Sequence, residues 1–142
     1  LRIFQKYAVY CGGGANHRFG LDDAILIKDN HIAAVGDIDQ ALDQAYMLAG
    51  HTKKIEIEVD TLEQLETVLA NGKADIIMLD NFDIEALQKG VEMAQGAAIL
   101  EASGGVTLDS VQKIAQTGVN YISIGALTHS APNHDFGLDI DI

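Results

Sequence analysis

Five short apolar runs set the fold of this chain. Their central residues, Ile25, Ile57, Ile77, Ile99 and Ile122, are separated by one long first interval and then by 20 to 23 residues. Each later interval holds one strand and one helix, and repetition at that length describes a βαβα chain with parallel strands. Ala24–Ile27 is a continuous apolar run, as expected of a strand covered on both faces. Residues 54–59 alternate polar and apolar with period two, and 74–79, 97–100 and 119–124 complete the set. The helices between them carry explicit start and stop signals. Asp37 with Gln40, Thr61 with Gln64, and Asp83 are N-cap patterns, while Gly50, Asn71-Gly72, Gly96 and Gly118 end the runs. The inward positions expected are Ile38, Ala41, Leu42, Ala45, Leu48 and Ala49, then Leu62, Leu65, Val68 and Leu69, then Ile84, Leu87, Val91 and Ala94, and last Leu108, Val111, Ile114 and Ala115. Two architectures satisfy this order, a (β/α) barrel or an open doubly wound sheet. Five strands are too few for a closed eight-stranded barrel.

The polar residues at the strand ends favour the barrel. Lys28, Glu58, Asp80, Glu101 with Ser103, and Ser123 with Gly125 all fall at or just beyond the C-terminal end of successive strands. In a (β/α) barrel those ends converge on one mouth, where chemistry is done. Glu58 and Asp80 end neighbouring strands, so their carboxylates are expected within reach of one divalent cation or of two adjacent hydroxyls. The stretch 99–107 ends a strand in Glu101-Ala102-Ser103, turns through Gly104-Gly105, and reaches Thr107 before an amphipathic segment. Backbone amides at such a turn and at a helix N-terminus can cradle a phosphate without a cationic side chain. A second Gly loop, 125–129, follows the next strand, and adjacent late loops of this kind often share a phosphate site in barrels.

Gly12-Gly13-Gly14 delivers His17 and Arg18 either to a site or to a solvated surface turn. The run fails the dinucleotide fingerprint, because His17 stands where the third Gly belongs. No P-loop, nucleophile elbow or zinc spacing is present among the five His and the single Cys11. With 21 Asp+Glu against nine Lys+Arg, the charge of −12 argues against nucleic acid and against an anionic membrane surface as partner. Residues 1–28 are the exception, at +2. One Cys, no signal-type segment and no apolar run of bilayer length point to the cytosol. The 142 residues, 48% hydrophobic with one Pro, read as a single domain over 1–142, and the first residues read as the middle of a longer chain.

Six segments in order, at 6–21, 25–32, 55–65, 76–82, 99–109 and 117–140, closely resemble the C-terminal domain of the quinolinate phosphoribosyltransferases, the carboxylating nicotinate-nucleotide pyrophosphorylases. The resemblance covers essentially the whole chain. It implies an open α/β barrel of the type II phosphoribosyltransferase kind. It also implies a reaction in which quinolinate and phosphoribosyl pyrophosphate give nicotinate mononucleotide, pyrophosphate and CO2, with Mg2+, in NAD synthesis. By position, His17, Arg18 and Lys28 match the family's ligands for the quinolinate carboxylates. Glu58 and Asp80 match those for the ribose hydroxyls and magnesium, making these two and Lys28 the expected catalytic residues. Ser103, Gly104, Gly105, Gly125 and His129 match the phosphate loops. A homodimer or larger assembly is implied as well. The family's N-terminal domain and a Thr-Arg-Lys-Thr segment lie upstream of the matching region, so the 142 residues alone are expected to turn over little or nothing. The alternatives are a relative acting on nicotinate or another ring, and a non-catalytic relic of the fold.

Overall fold

A computed structural model describes residues 1–140; the last two residues of the expected 1–142 domain lie outside it. The elements are α1 (Arg2–Cys11), β1 (Ile25–Ile27), α2 (Asp29–Val35), α3 (Ile38–Ala49), β2 (Ile55–Val59), α4 (Leu62–Asn71), β3 (Ile76–Asp80), α5 (Ile84–Ala94), β4 (Ile99–Ser103), α6 (Leu108–Ala115), β5 (Tyr121–Ile122) and α7 (Ala126–His129). The five strands form one parallel sheet in the order β1-β2-β3-β4-β5. A doubly wound sheet reverses its strand order at a switch point, and this sheet does not. Helices α3 to α6 pack each on the next, forming a single outer layer. The result is the open arc of a (β/α) barrel, as expected.

Side-chain alternation along the strands divides the sheet into two faces. Ile55, Ile57 and Val59 of β2, Ile77 and Leu79 of β3, and Leu100 and Ala102 of β4 point to the helices and are nearly inaccessible. With Leu42, Leu65 and Leu87 from the helices they make the core. Each of the Ile, Leu and Val side chains among them, fully buried, contributes about 1.5–3 kcal/mol before the entropy of ordering is subtracted. The other face carries Leu26, Glu56 and Glu58, then Ile76, Met78 and Asp80, then Glu101 and Ser103. Register brings these level: Leu26 stands opposite Glu56, Glu58 opposite Met78, Met78 opposite Glu101, and Asp80 opposite Ser103.

The helix boundaries follow the capping chemistry. Asp37 accepts from the Gln40 amide at 2.8 Å, Asp83 from the Ala86 amide at 2.8 Å, and Thr61 from the Gln64 amide at 3.2 Å. The Gln64 side chain reaches one residue further back than a capping box requires and accepts from the Asp60 amide at 2.7 Å. Gly72 closes α4 in the left-handed conformation, at φ 73°.

Several expectations are corrected. The residues before β1 contain α1, and those after it contain α2, neither of which the strand-helix period foretells. Lys28 is the N-cap residue of α2, and its amide donates to His31 Nδ1 at 2.9 Å. The fourth strand begins later and runs further than residues 97–100, so Glu101 lies in mid-strand and not at its end. The fifth strand shrinks to two residues. Leu108, the first residue of α6, is 94% exposed and lies outside the core that Ile114 joins and Val111 packs against. Two of the amides at the N-terminus of α6 are capped: Thr107 Oγ1 accepts from the Ser110 amide, and Ser110 Oγ accepts from the Thr107 amide at 2.9 Å.

Candidate active site

Lys28 and Glu58 meet at the C-terminal edge of the sheet, Nζ 2.9 Å from Oε2. The carboxylate is mostly covered while the ammonium group is half exposed. Hydrogen bonding to Glu58, opposed by partial burial, holds Lys28 above the ordinary lysine value, with Asp80 and Asp29 adding to the effect. Carboxylate oxygens of Glu58, Asp60 and Asp80 all lie within 4.8 Å of one another. Glu58 and Asp80 thus converge as their strand positions require. Asp60 joins them from the loop after β2, a member that the sequence reading does not include. Its signal was present, since Asp60 is two residues beyond Glu58 at the same strand end.

Asp80 is oriented by its neighbour. Asn81 Nδ2 donates to Asp80 Oδ2 at 2.6 Å, and the Asn81 amide donates to the Ser103 carbonyl at 2.9 Å. Asn81 adopts φ 56°, a left-handed conformation that Asn tolerates better than most residues. The same residue explains Gly104. A Cβ on Gly104 would lie 2.8 Å from the Asn81 backbone nitrogen, and Gly104 itself has φ 94°. Gly104 is therefore needed for close approach between the β3 and β4 ends, in addition to any ligand it meets.

The second part of the mouth is a cleft of about 820 Å³, whose lining includes Lys6, His17, Arg18, Ser103, Ser123 and Gly125. The segment bearing His17 and Arg18 is tied to α1 by Asn16 Nδ2 to the Lys6 carbonyl at 2.9 Å and Lys6 Nζ to the His17 carbonyl at 2.8 Å. Arg18 donates to the Ala24 carbonyl at 3.3 Å. The Gly run thus delivers both residues to the cleft and not to an isolated surface turn. Of the expected phosphate-loop residues, Ser103 and Gly125 line this cleft, whereas Gly104, Gly105 and His129 are not among its lining. His129 lies beside Gly125, with Nδ1 2.8 Å from Ser130 Oγ.

Below the cleft lie two further acids. His17 Nε2 is 3.0 Å from Glu56 Oε2 and 3.8 Å from Glu101 Oε1, and Ser123 Oγ donates to the same Glu101 oxygen. The hydrogen bond to Glu56 raises the His17 pKa above its ordinary 6.5 against the opposing effect of burial; the charges of Glu56 and Glu101 assist, and Arg18 opposes. Burial raises Glu101 above the usual carboxylate value, with the nearby Glu56 charge adding and Ser123 and His17 opposing. Glu56 has no place in the sequence reading, because its alternation with Ile55 and Ile57 also describes a strand with one solvated face.

Residues 1–139 match the family described as quinolinate phosphoribosyl transferase, C-terminal domain. The chain is 48% identical over 143 residues to a nicotinate-nucleotide pyrophosphorylase (carboxylating) of Mycobacterium leprae, covering 99% of this chain and 50% of that protein. The crystal structure of a nicotinate-nucleotide pyrophosphorylase from Ehrlichia chaffeensis superposes with a TM-score of 0.92 at 45% identity, over 99% of this chain and 51% of that one. That of the Francisella tularensis protein of the same name gives 0.85 at 49% identity, over 89% and 45%. The chain spans about half the length of the relatives it matches. Matched over 139 residues and collinear with these proteins, the chain belongs to the quinolinate phosphoribosyltransferase family, as its C-terminal domain.

Proposed function

We propose that this chain is the barrel domain of an enzyme that transfers a phosphoribosyl group from phosphoribosyl pyrophosphate to quinolinate, with loss of CO2 to give nicotinate mononucleotide. The observation that carries this reading is the division of one barrel mouth into two chemistries. Lys28, Glu58, Asp60 and Asp80 cluster on one side, while His17 and Arg18 share a cleft with Ser103 and Gly125 on the other.

Breaking the ribose–pyrophosphate bond builds positive charge at the anomeric carbon. Fixed carboxylates such as Glu58 and Asp80 stabilise that charge without having to reorganise. Asn81 keeps the Asp80 carboxylate in orientation. Three carboxylates within 4.8 Å supply hard oxygen donors, which suits Mg2+, an ion that takes one or two carboxylates and keeps water for the rest. Glu58 and Asp80, with Asp60, are the residues that would hold it, and the bound ion would screen the charge of the pyrophosphate. His17 and Arg18 offer cationic donors to the ring carboxylates, and the fork of Arg18 matches a carboxylate in two parallel hydrogen bonds. Lys28 adds a third cation from the side of the acids, where it pairs with Glu58. After ribosylation the ring nitrogen is positive and stabilises the electron pair that departing CO2 leaves on the adjacent carbon, which then takes up a proton to give nicotinate mononucleotide. The phosphate falls to Ser103, Gly104, Gly105 and Gly125, with His129 beside them.

The further parts of the reading follow from the family and from composition. In this reading the protein works as a cytosolic homodimer or larger homo-oligomer, and no described helix is long and apolar enough to cross a membrane. Incubating the intact protein with phosphoribosyl pyrophosphate, Mg2+ and either quinolinate or nicotinate tests the reading. Nicotinate mononucleotide and CO2 from quinolinate are expected, with little turnover of nicotinate. Turnover of nicotinate in preference would replace the reading with a different ring specificity, and no turnover of either would leave the relic.

A further inference from the structure

Glu56 and Glu101 are the most unusual polar residues of the chain, at 3% and 6% exposure on the inner face of a sheet. Buried carboxylates are costly unless paired, and replacing such groups by apolar ones is often stabilising. Their pairing here is incomplete. Glu56 Oε1 is buried and accepts no hydrogen bond among the described residues, while Oε2 lies 3.0 Å from His17 Nε2. Glu101 is fixed by Ser123 and stands 3.8 Å from the same ring nitrogen. Two mid-strand acids on β2 and β4 thus converge on a His of an irregular segment, and that His lines the cleft. A buried pair of this kind is not by itself a source of stability, and β2 and β4 are already joined through β3.

We propose that Glu56, backed by Glu101 and Ser123, is a positioning residue that binds the Nε2–H of His17 and holds its ring as an imidazolium, leaving Nδ1–H to take a carboxylate of the substrate ring in the cleft. This rests on the reading that the cleft binds a pyridine dicarboxylate. A neutral imidazole has one donor and one acceptor. With Nε2–H committed to Glu56, a neutral ring would present the Nδ1 lone pair to an anionic ligand and repel it. Only the charged ring donates at both nitrogens, so the buried acids convert His17 from a repulsive group to a charge-assisted donor. The charged groups that face it are Glu56 from β2, Glu101 from β4, adjacent Arg18, and Lys6 of α1, which donates to the His17 carbonyl. The two acids favour the imidazolium, and the two cations oppose it.

The test follows the His17 ring resonances by NMR through a pH titration of the intact protein and of its Glu56→Gln variant, the signal being assigned with His17→Asn. Quinolinate is then titrated into both proteins at several pH values. The midpoint of His17 should move to lower pH in Glu56→Gln, and quinolinate affinity at neutral pH should fall by about tenfold. That loss should shrink as acidification protonates His17 in the variant, a recovery that a purely structural defect would not show. Glu101→Gln, whose amide oxygen still accepts from Ser123, should shift the midpoint in the same direction by less, and it serves if Glu56→Gln fails to fold. An unchanged midpoint in the folded variant, or an affinity loss equal at every pH, overturns the proposal. Absence of any quinolinate response in the unaltered protein overturns the functional reading instead, and the ligand-free midpoints keep the two failures distinct.

Discussion

Lys28 Nζ lies 2.9 Å from Glu58 Oε2, joining the N-cap residue of α2 to the penultimate residue of β2 across the end of the sheet. A half-exposed pair of this type contributes about 0–1 kcal/mol to stability, so its importance is chemical. Glu58→Gln should leave the thermal midpoint almost unchanged and lower phosphoribosyl transfer in the intact protein by about 100-fold or more. Differential scanning calorimetry alongside steady-state assay checks both halves of that statement. A variant that keeps full turnover would remove Glu58 from the reaction.

Asn81 and Gly104 form the adjoining contact. Gly104→Ala adds a Cβ 2.8 Å from the Asn81 backbone nitrogen at a φ of 94° that L side chains rarely adopt. The substitution should cost about 1–3 kcal/mol in urea unfolding and disturb the Asp80 carboxylate that Asn81 orients. Gly105→Ala meets no atom within 4 Å although its φ is also positive, and should cost less. Equal losses at the two positions would refute close approach as the reason for Gly104.

At the opposite end of the sheet, Asp75 accepts from Lys54 Nζ at 2.5 Å and from the Ile55 amide at 2.9 Å, tying β2 to the start of β3. Burial works against its ionisation, but Lys54 and the Ile55 amide outweigh it and the pKa falls below the ordinary 3.8. A depressed folded-state value contributes stability that is present above the unfolded pKa and is lost as pH falls through the folded one. Asp75→Asn should therefore cost on the order of 1 kcal/mol at neutral pH, with the gap from the unaltered protein closing below about pH 3.8. Urea midpoints at neutral and acidic pH measure it, and a gap that persists unchanged in acid would contradict the assignment.

Leu42 is completely buried between the sheet and its helix layer. Leu42→Ala should lower the unfolding free energy by about 2–5 kcal/mol, which for a chain of this size is a large share of the total. Leu108→Ala, at a side chain 94% exposed, should change it by less than about 0.5 kcal/mol. The contrast between two leucines of expected inward faces tests the placement of the core.

The interval from Ile57 to Ile77 to Ile99 to Ile122 determines by itself that strands and helices alternate, and the Asp37, Thr61 and Asp83 caps mark where helices start, because both signals are local in the chain. Residues at strand ends, Lys28, Glu58, Asp80 and Ser103, are legible for the same reason: in a parallel sheet the end of a strand is a position in sequence as well as in space. Helix α1 was open to reading in part, since Ile3, Phe4, Tyr7 and Tyr10 recur at helical spacing, yet those side chains are exposed and the first turn has no cap signal. The partnership of His17 with Glu56 and Glu101 had no such local trace. It joins residues 39 and 84 positions apart in sequence, and it depends on which face of the sheet turns inward. Period-two alternation is the same whether the polar face meets water or the inside of a barrel. Only the curvature of the assembled sheet buries Glu56 and Glu101 and brings them beneath the cleft, where the cost of their desolvation is set against the charge on His17.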